Sequence, residues 1–372
     1  MKYKLKDIGK ITTGKTPSKS IKNAFGGNMN FLTPTDFNGK RYSDSTVRSL
    51  SDNGVEAVSN YVVKYPSISV TCIGSDMGKT ILNRTNIVSN QQINSISEII
   101  DDINPKYLYY LLTAKRKYLH FLGSGQGSTM PILNKRDFGN IEFFFPEKEQ
   151  QDSIVKILDV LDKKIELNKA INDNLDALLT NIFKKYMIND DFEKSNLTQI
   201  ANYKNGLAMQ KYRPNSNEES LPVLKIKELN QGNTDDSSDR CSANLDNSVI
   251  VNTGDIIFSW SGTLLVKNWT GDKVGLNQHL FKVTSNKYPA WFIYEWTKYH
   301  LLRFQAIAAG KATTMGHIKR SDLKSSPVYI PSQLFLEKMD SQLAPIYSQR
   351  LNLIKENQQL SKLKQTLLNK YF

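Results

Sequence analysis

Residues 158–186 read LDVLDKKIELNKAINDNLDALLTNIFKKY. Their apolar positions advance in alternating steps of three and four: Leu158, Leu161, Ile165, Asn168, Asn172, Leu175, Leu179, Ile182 and Tyr186. Residues 343–371 carry the same spacing at Leu343, Ile346, Arg350, Leu353, Asn357, Leu360, Lys364, Leu367 and Tyr371. A 3,4 repeat keeps one stripe of a helix facing a partner helix, so the spacing predicts two long helices that pair along it. Pairing is expected to rest on Leu158, Leu161, Asn172 and Leu175 against Leu343, Ile346, Asn357 and Leu360. A whole module separates the two helices, which favours an antiparallel arrangement. Asn172 and Asn357 sit at the stripe midpoints. They are expected to face one another and penalise shifted registers, or else to lie at a solvated edge of the stripe.

The rest of the chain is also duplicated. Leu5, Ile8 and Gly14 match Leu197, Ile200 and Gly206, and Leu32, Asp36 and Phe37 match Leu224, Glu228 and Leu229. Asn90, Gln91 and Ile93 match Asn277, Gln278 and Leu280. Gly125, Thr129, Met130, Leu133, Asp137, Phe138 and Pro146 match Gly310, Thr314, Met315, Ile318, Asp322, Leu323 and Pro331. Within each copy, Ser67–Cys72, Ile141–Phe145, Asp255–Trp260 and Ser326–Ile330 have strand character. Lys106–Phe121 and Ala290–Ile307 are helical, with aromatic stripes that read as core. The expected fold class is α+β: two similar mixed α/β domains joined by two long helices in an antiparallel coiled coil. The divisions are 1–146, 147–187, 188–331 and 332–372, with Met187–Asn196 as a linker between the halves.

The formal net charge is +13. It splits into +7 for residues 1–186 and +6 for the remainder. Two equally basic halves suit two similar contacts with a polyanion such as DNA. The two cysteines, Cys72 and Cys241, and the four histidines form no ligand-spaced cluster, which argues against a disulfide framework or a metal site. No run of 18 apolar residues occurs and no signal-like leader opens the chain, so a cytoplasmic protein without a membrane span is expected.

Gly9–Thr16, GKITTGKT, fits the phosphate-loop pattern G-x-x-x-x-G-K-[ST]. That pattern needs a buried strand before it and a helix after it. Residues 1–8 are too charged for such a strand, Pro17 follows at once, and the second copy, ANYKNGLA, loses the pattern. GSGQG at Gly123–Gly127 follows a helix rather than a strand, and Asp322, Leu323 and Lys324 form only a fragment of a nuclease-like pattern. No catalytic constellation stands out, so no catalytic residue is assigned.

The openings LKDIGKITTGKTP and LTQIANYKNG, the segment LPVLKIKELNQG, and the module ending FFFPEKEQQDSIVKILDVLDKKIE together resemble the specificity subunits of type I restriction-modification systems. The resemblance spans essentially the whole chain and rests on the twofold order of loose motifs. The helix entry Pro146, Glu149, Gln150 is not kept in the second copy, which has Pro331, Leu334, Phe335. The resemblance implies a non-catalytic protein with two target-recognition domains that binds double-stranded DNA. It also implies methyltransferase subunits docked on the helices, restriction endonuclease and translocase subunits completing the complex, and S-adenosylmethionine carried by the methyltransferase, not by this chain.

The stripe spans 28 residue steps, about 42 Å at ~1.5 Å per residue. One turn of DNA is about 34–36 Å, so the helices could act as a ruler between two half-sites. Base readout uses Arg, Lys, Asn, Gln or Thr, and phosphate contacts use cations. The residues nominated as DNA-binding are therefore Thr35, Lys40, Arg41, Lys79, Arg84, Gln126, Lys135 and Arg136 in the first module. In the second they are Lys225, Lys227, Lys267, Lys311, Thr313, Lys319 and Arg320. Two other functions remain: a coiled-coil scaffold that binds only proteins, and a nucleotide hydrolase using GKITTGKT.

Overall fold

The computed structural model describes residues 1–124, 131–235, 237–310 and 316–372. The chain forms two compact units, Met1–Asp162 with Leu363–Phe372, and Lys163–Lys362. Two continuous helices run through these ranges, Lys148–Met187 and Gln333–Tyr371. The first, 40 residues without glycine or proline, is about 60 Å long.

In the first unit, strands Lys10–Thr13, Ile93–Ser97, Ser67–Thr71 and Thr80–Asn83 lie side by side in that order, all antiparallel. A second sheet orders Arg48–Leu50, Phe25–Leu32 and Ile87–Ser89, the last two strands parallel. The second unit repeats both, adding a fourth strand to the other sheet. Its antiparallel sheet runs Asn202–Asn205, Leu280–Thr284, Ile256–Ser259, Leu265–Asn268. Its other sheet runs Arg240–Ser242, Ser220–Leu224, Val274–Leu276, Ile250–Val251, with the parallel pair between Ser220–Leu224 and Val274–Leu276.

The phosphate-loop match has a structural cause. Lys10–Thr13 is an edge strand, and the chain after it enters a loop rather than a helix. The Gly14 amide donates to the Ile93 carbonyl at 3.1 Å, and a Cβ on Gly14 would lie 2.2 Å from the Ser89 carbonyl oxygen. Gly206 repeats this: its amide donates to Leu280 at 3.1 Å, and a Cβ would lie 2.2 Å from the Asn277 oxygen. Glycine is needed for close backbone approach in both copies. Lys15 sits over the Tyr61 ring, 5.2 Å from its centroid.

The aromatic stripes are core. Tyr107, Tyr109 and Tyr110 are buried in the first unit, and Trp291, Phe292, Tyr294 and Trp296 in the second. Each stripe segment is two helices rather than one: Pro105–Ala114 then Arg116–Ser124, and Ala290–Tyr299 then Leu301–Ala309. The linker also needs correction. Met187 is fully buried, and Glu193–Asn196 is a strand paired antiparallel with Pro327–Ile330. It is the counterpart of Lys2–Lys4, which pairs with Glu142–Phe144.

Both long helices contribute to each core. The first core includes Ile154, Val155, Leu158 and Leu368, and the second includes Leu179, Phe183, Met187, Leu336, Met339, Leu343 and Tyr347. Among the expected stripe residues, Leu158 and Leu343 are therefore module core as well, while Leu161, Leu175, Ile346 and Leu360 are half-buried. Tyr186 is 41% exposed, and Phe183 and Met187 take the buried places instead. The helices are antiparallel, but Asn172 does not face Asn357. Asn168, fully buried, donates to the Asn357 side chain at 2.9 Å and to Glu356 at 2.8 Å, while Asn172 donates to the Arg350 carbonyl at 3.3 Å. The register is one helical turn from the expected one. Arg350 holds it there, because its guanidinium pairs with Asp176 at 2.7 Å and hydrogen-bonds Tyr294.

Beside that ion pair lies Glu295, 1% exposed, with an Oε1 that accepts no hydrogen bond among the described residues. Burial pushes its carboxyl up from 4.5 to about 7, against the pull of Lys298. A carboxyl raised in the folded state stabilises the fold below its unfolded value and loses that contribution as pH rises through the folded one. The second unit should therefore lose on the order of 3 kcal/mol between pH 4.5 and 7. Glu295→Gln should unfold at higher urea than the parent at pH 8 and near the parent at pH 5. Identical pH profiles would contradict this.

Candidate DNA-reading surface

The nominees within the described residues fall into three groups. Lys40, Lys135, Arg136 and Lys319 are exposed and, among the described residues, make no side-chain hydrogen bond or ion pair, as a phosphate-binding side chain would be. Lys135 and Arg136 open the short helix Lys135–Asn140, and Lys319 precedes its counterpart Arg320–Lys324. The repeat thus places cations at the same helix entry in both modules.

A second group is exposed or half-exposed but already paired. Arg84 grips Asp44 through Nε at 2.7 Å and also through Nη2, with its guanidinium 4.0 Å from the Tyr42 ring centroid. Lys79 pairs with Asp76 at 2.9 Å, Lys225 with Asp239, and Lys227 with Ser237 at 2.8 Å. Lys267 reaches the Asn230 carbonyl at 3.3 Å, and Arg320 the Tyr203 carbonyl at 3.2 Å. The Thr35 hydroxyl shares a hydrogen bond with Thr33 at 2.8 Å. Surface pairs of this kind are worth little and can be exchanged for a phosphate.

Arg41 forms the third group and overturns its nomination. It is 7% exposed, with Nη1 2.6 Å from Asp159 and 3.8 Å from Asp162. It is a buried counter-ion, not a DNA contact. Gln126, Lys311 and Thr313 lie outside the described residues.

The loop before these cations is fixed by a buried carboxylate in each copy. Asp36 accepts from the Thr33 amide at 2.7 Å and the Val47 amide at 2.8 Å. Glu228 accepts from the Lys225 amide at 3.2 Å and the Ser238 hydroxyl at 3.2 Å. Asp322 likewise accepts from the Lys319 amide at 2.7 Å, capping its helix, so the nuclease-like fragment has a structural role. Among the described residues, no group of three or more His, Cys, Asp or Glu is placed to hold a metal ion.

A comparison with protein families matches the type I restriction modification DNA specificity domain twice, over residues 1–177 and 189–362. The chain belongs to that family. The type I specificity subunit MjaIX of Methanocaldococcus jannaschii is 27% identical over 99% of this chain and 91% of its own length. The HindI specificity subunit of Haemophilus influenzae is 35% identical over 47% of this chain and 39% of its own. The crystal structure of a type I S subunit from M. genitalium superposes with a TM-score of 0.53 at 16% identity, covering 100% of this chain and 96% of that one, and shares the fold. No helix among the described residues is long and apolar enough to cross a membrane.

Within this specificity-family scaffold, one repeated cation escaped the sequence reading. Arg48 and Arg240 sit on equivalent edge strands, and both are exposed. Arg48 lies 3.8 Å over the Phe25 ring, and Arg240 is anchored on Ser220 through Nε at 3.0 Å. Both guanidinium groups are held in place, which lowers the entropy cost of meeting a phosphate or a guanine edge. The signal was present, since the two residues share the 192-residue offset of the first repeat block.

Proposed function

We propose that this chain is the DNA-reading subunit of a type I restriction-modification complex. It binds a bipartite double-stranded target, one half-site per module, with the two long helices setting the gap. The reading rests on one observation above others: two modules whose antiparallel sheets share one strand order, and whose loops share buried carboxylate anchors, are carried on continuous antiparallel helices. The +13 charge and the uncommitted cations at matching helix entries support DNA as the ligand.

On this reading the chain performs no chemistry. Methyltransferase subunits carry S-adenosylmethionine, restriction and translocase subunits complete the assembly, and the complex works on cytoplasmic DNA. The first long helix offers a docking face. Within the second unit, Leu167, Ile171 and Leu178 on this helix are exposed and follow heptad steps on a side distinct from the pairing stripe. An apolar stripe of that kind suits a helical protein partner.

Footprinting of the complex assembled with its methyltransferase tests the proposal. Two protected clusters with a fixed gap, and affinity that falls steeply with salt, are expected. One continuous footprint would overturn the bipartite reading, and absent or salt-insensitive DNA binding would favour a protein-only scaffold.

A further inference from the structure

The duplication allows the two modules to be compared hydrogen bond by hydrogen bond at one place. In the first, Cys72 N–H donates to the Gln92 carbonyl at 2.7 Å, Leu133 N–H to Cys72 at 2.9 Å, and Gly74 N–H to Pro131 at 3.0 Å. In the second, Trp260 N–H donates to the His279 carbonyl at 3.4 Å, Ile318 N–H to Trp260 at 3.1 Å, and Gly262 N–H to Gly316 at 3.0 Å. Isolated bridges join Ile73 to Ile132 and Ser261 to His317. The backbone frame is the same, and its side chains are not. Trp260 stands where Cys72 does, His279 where Gln92 does, His317 where Ile132 does, and Phe281 where Asn94 does.

The side chains mounted on this frame in the second module form one cluster. The Trp260 indole N–H donates to Asn205 at 3.1 Å, which fixes the ring. Its ring centroid lies 5.9 Å from His279, 5.7 Å from Phe281 and 6.3 Å from His317. Phe281 belongs to the core below, while Trp260, Gln278, His279 and His317 remain half-exposed. Among the described residues the His279 Nδ1 has no hydrogen-bond partner. Gln278 touches His279 through Nε2 at 3.3 Å, and its carbonyl oxygen makes no hydrogen bond among the described residues. Core packing does not require a large aromatic here, because the same frame accommodates the buried Cys72 in the first module.

We infer that Trp260, Gln278, His279 and His317 are the base-reading cluster of the second module. The inference rests on the DNA-reading function proposed above. An amide and an imidazole supply the donor and acceptor pairs that distinguish base edges in the major groove, and a pinned ring offers apolar contact to a thymine methyl. Mounting them on a strand end holds them to the precision readout needs. A rigid frame with interchangeable side chains also accounts for two modules that can read different half-sites.

The test uses the full complex with Gln278→Ala and, separately, His317→Ala, assayed by methylation of a DNA library randomised in both half-sites. Discrimination at one or more base pairs of the second half-site should fall about tenfold or more, while the first half-site profile stays unchanged and reports intact folding. An unaltered second half-site in both variants would overturn the inference. If alanine abolishes methylation altogether, Gln278→Asn decides: a changed second half-site preference supports the assignment, and an unchanged one overturns it. A parent complex without bipartite preference would instead remove the functional reading beneath it.

Discussion

Replacing Arg41 with alanine is expected to destabilise the first unit by about 3–5 kcal/mol, the cost of leaving buried charge without its partner. Arg41 joins Asp159 at 2.6 Å and Asp162 at 3.8 Å, and its Nη1 reaches the Tyr110 hydroxyl at 3.4 Å. Tyr110 in turn donates to Asp162 at 2.8 Å, so the four side chains form one network. Lys106 at 3.1 Å from Asp159 and Lys364 at 2.6 Å from Asp162 remain in the variant and should keep the loss towards the lower end. Burial and the neighbouring Asp162 push the Tyr110 hydroxyl well above the ordinary tyrosine value, so it remains a donor across the accessible pH range. Urea unfolding of the variant measures the effect. DNA binding by the folded complex should keep its salt dependence, because no phosphate contact is lost. A stable variant whose salt slope drops would return Arg41 to the DNA surface.

Insertion of one heptad into both long helices, in register, should move the recognised half-sites apart without altering either one. Seven residues add about 10 Å, close to three base pairs at ~3.4 Å each. Binding to the original spacing should fall by at least about a hundredfold, since one half-site is then lost and only part of the specific affinity remains. A library randomised in gap length would reveal the new preference. An unchanged gap would show that the helices do not set it.

What the sequence revealed and what it hid follow from the range of the interactions. Heptad spacing, paired glycines and repeated loop anchors are local patterns, and they led to the antiparallel helices and the duplicated sheets. Arg41 looked like any basic loop residue, because its partner Asp159 lies 118 positions away and only the fold brings them together. The Asn172 pairing missed by a turn for a related reason. The heptad fixes which face meets the partner helix, but Arg350 with Asp176 fixes how far one helix slides along the other. Lys79, Lys225 and Lys227 read as free cations and are each held by a nearby aspartate or serine. The base-reading cluster was invisible for another reason: its residues come from separate strand ends, and only the matched hydrogen bonds of the two frames place them together.

Leu367, Leu368 and Tyr371 pack with the core that holds Leu158, so the first module closes on residues made after the second. At about 5–20 residues per second during synthesis, the segment from Lys163 to Lys362 delays that closure by roughly 10–40 s. Throughout that interval the stripe of Ile154, Val155 and Leu158 lacks its partner from the second helix, and by its end the second module has every residue of its own core, the last being Tyr347. The half made first is completed last, and during that wait its open apolar stripe is the surface most exposed to chaperone capture or premature association with another nascent copy.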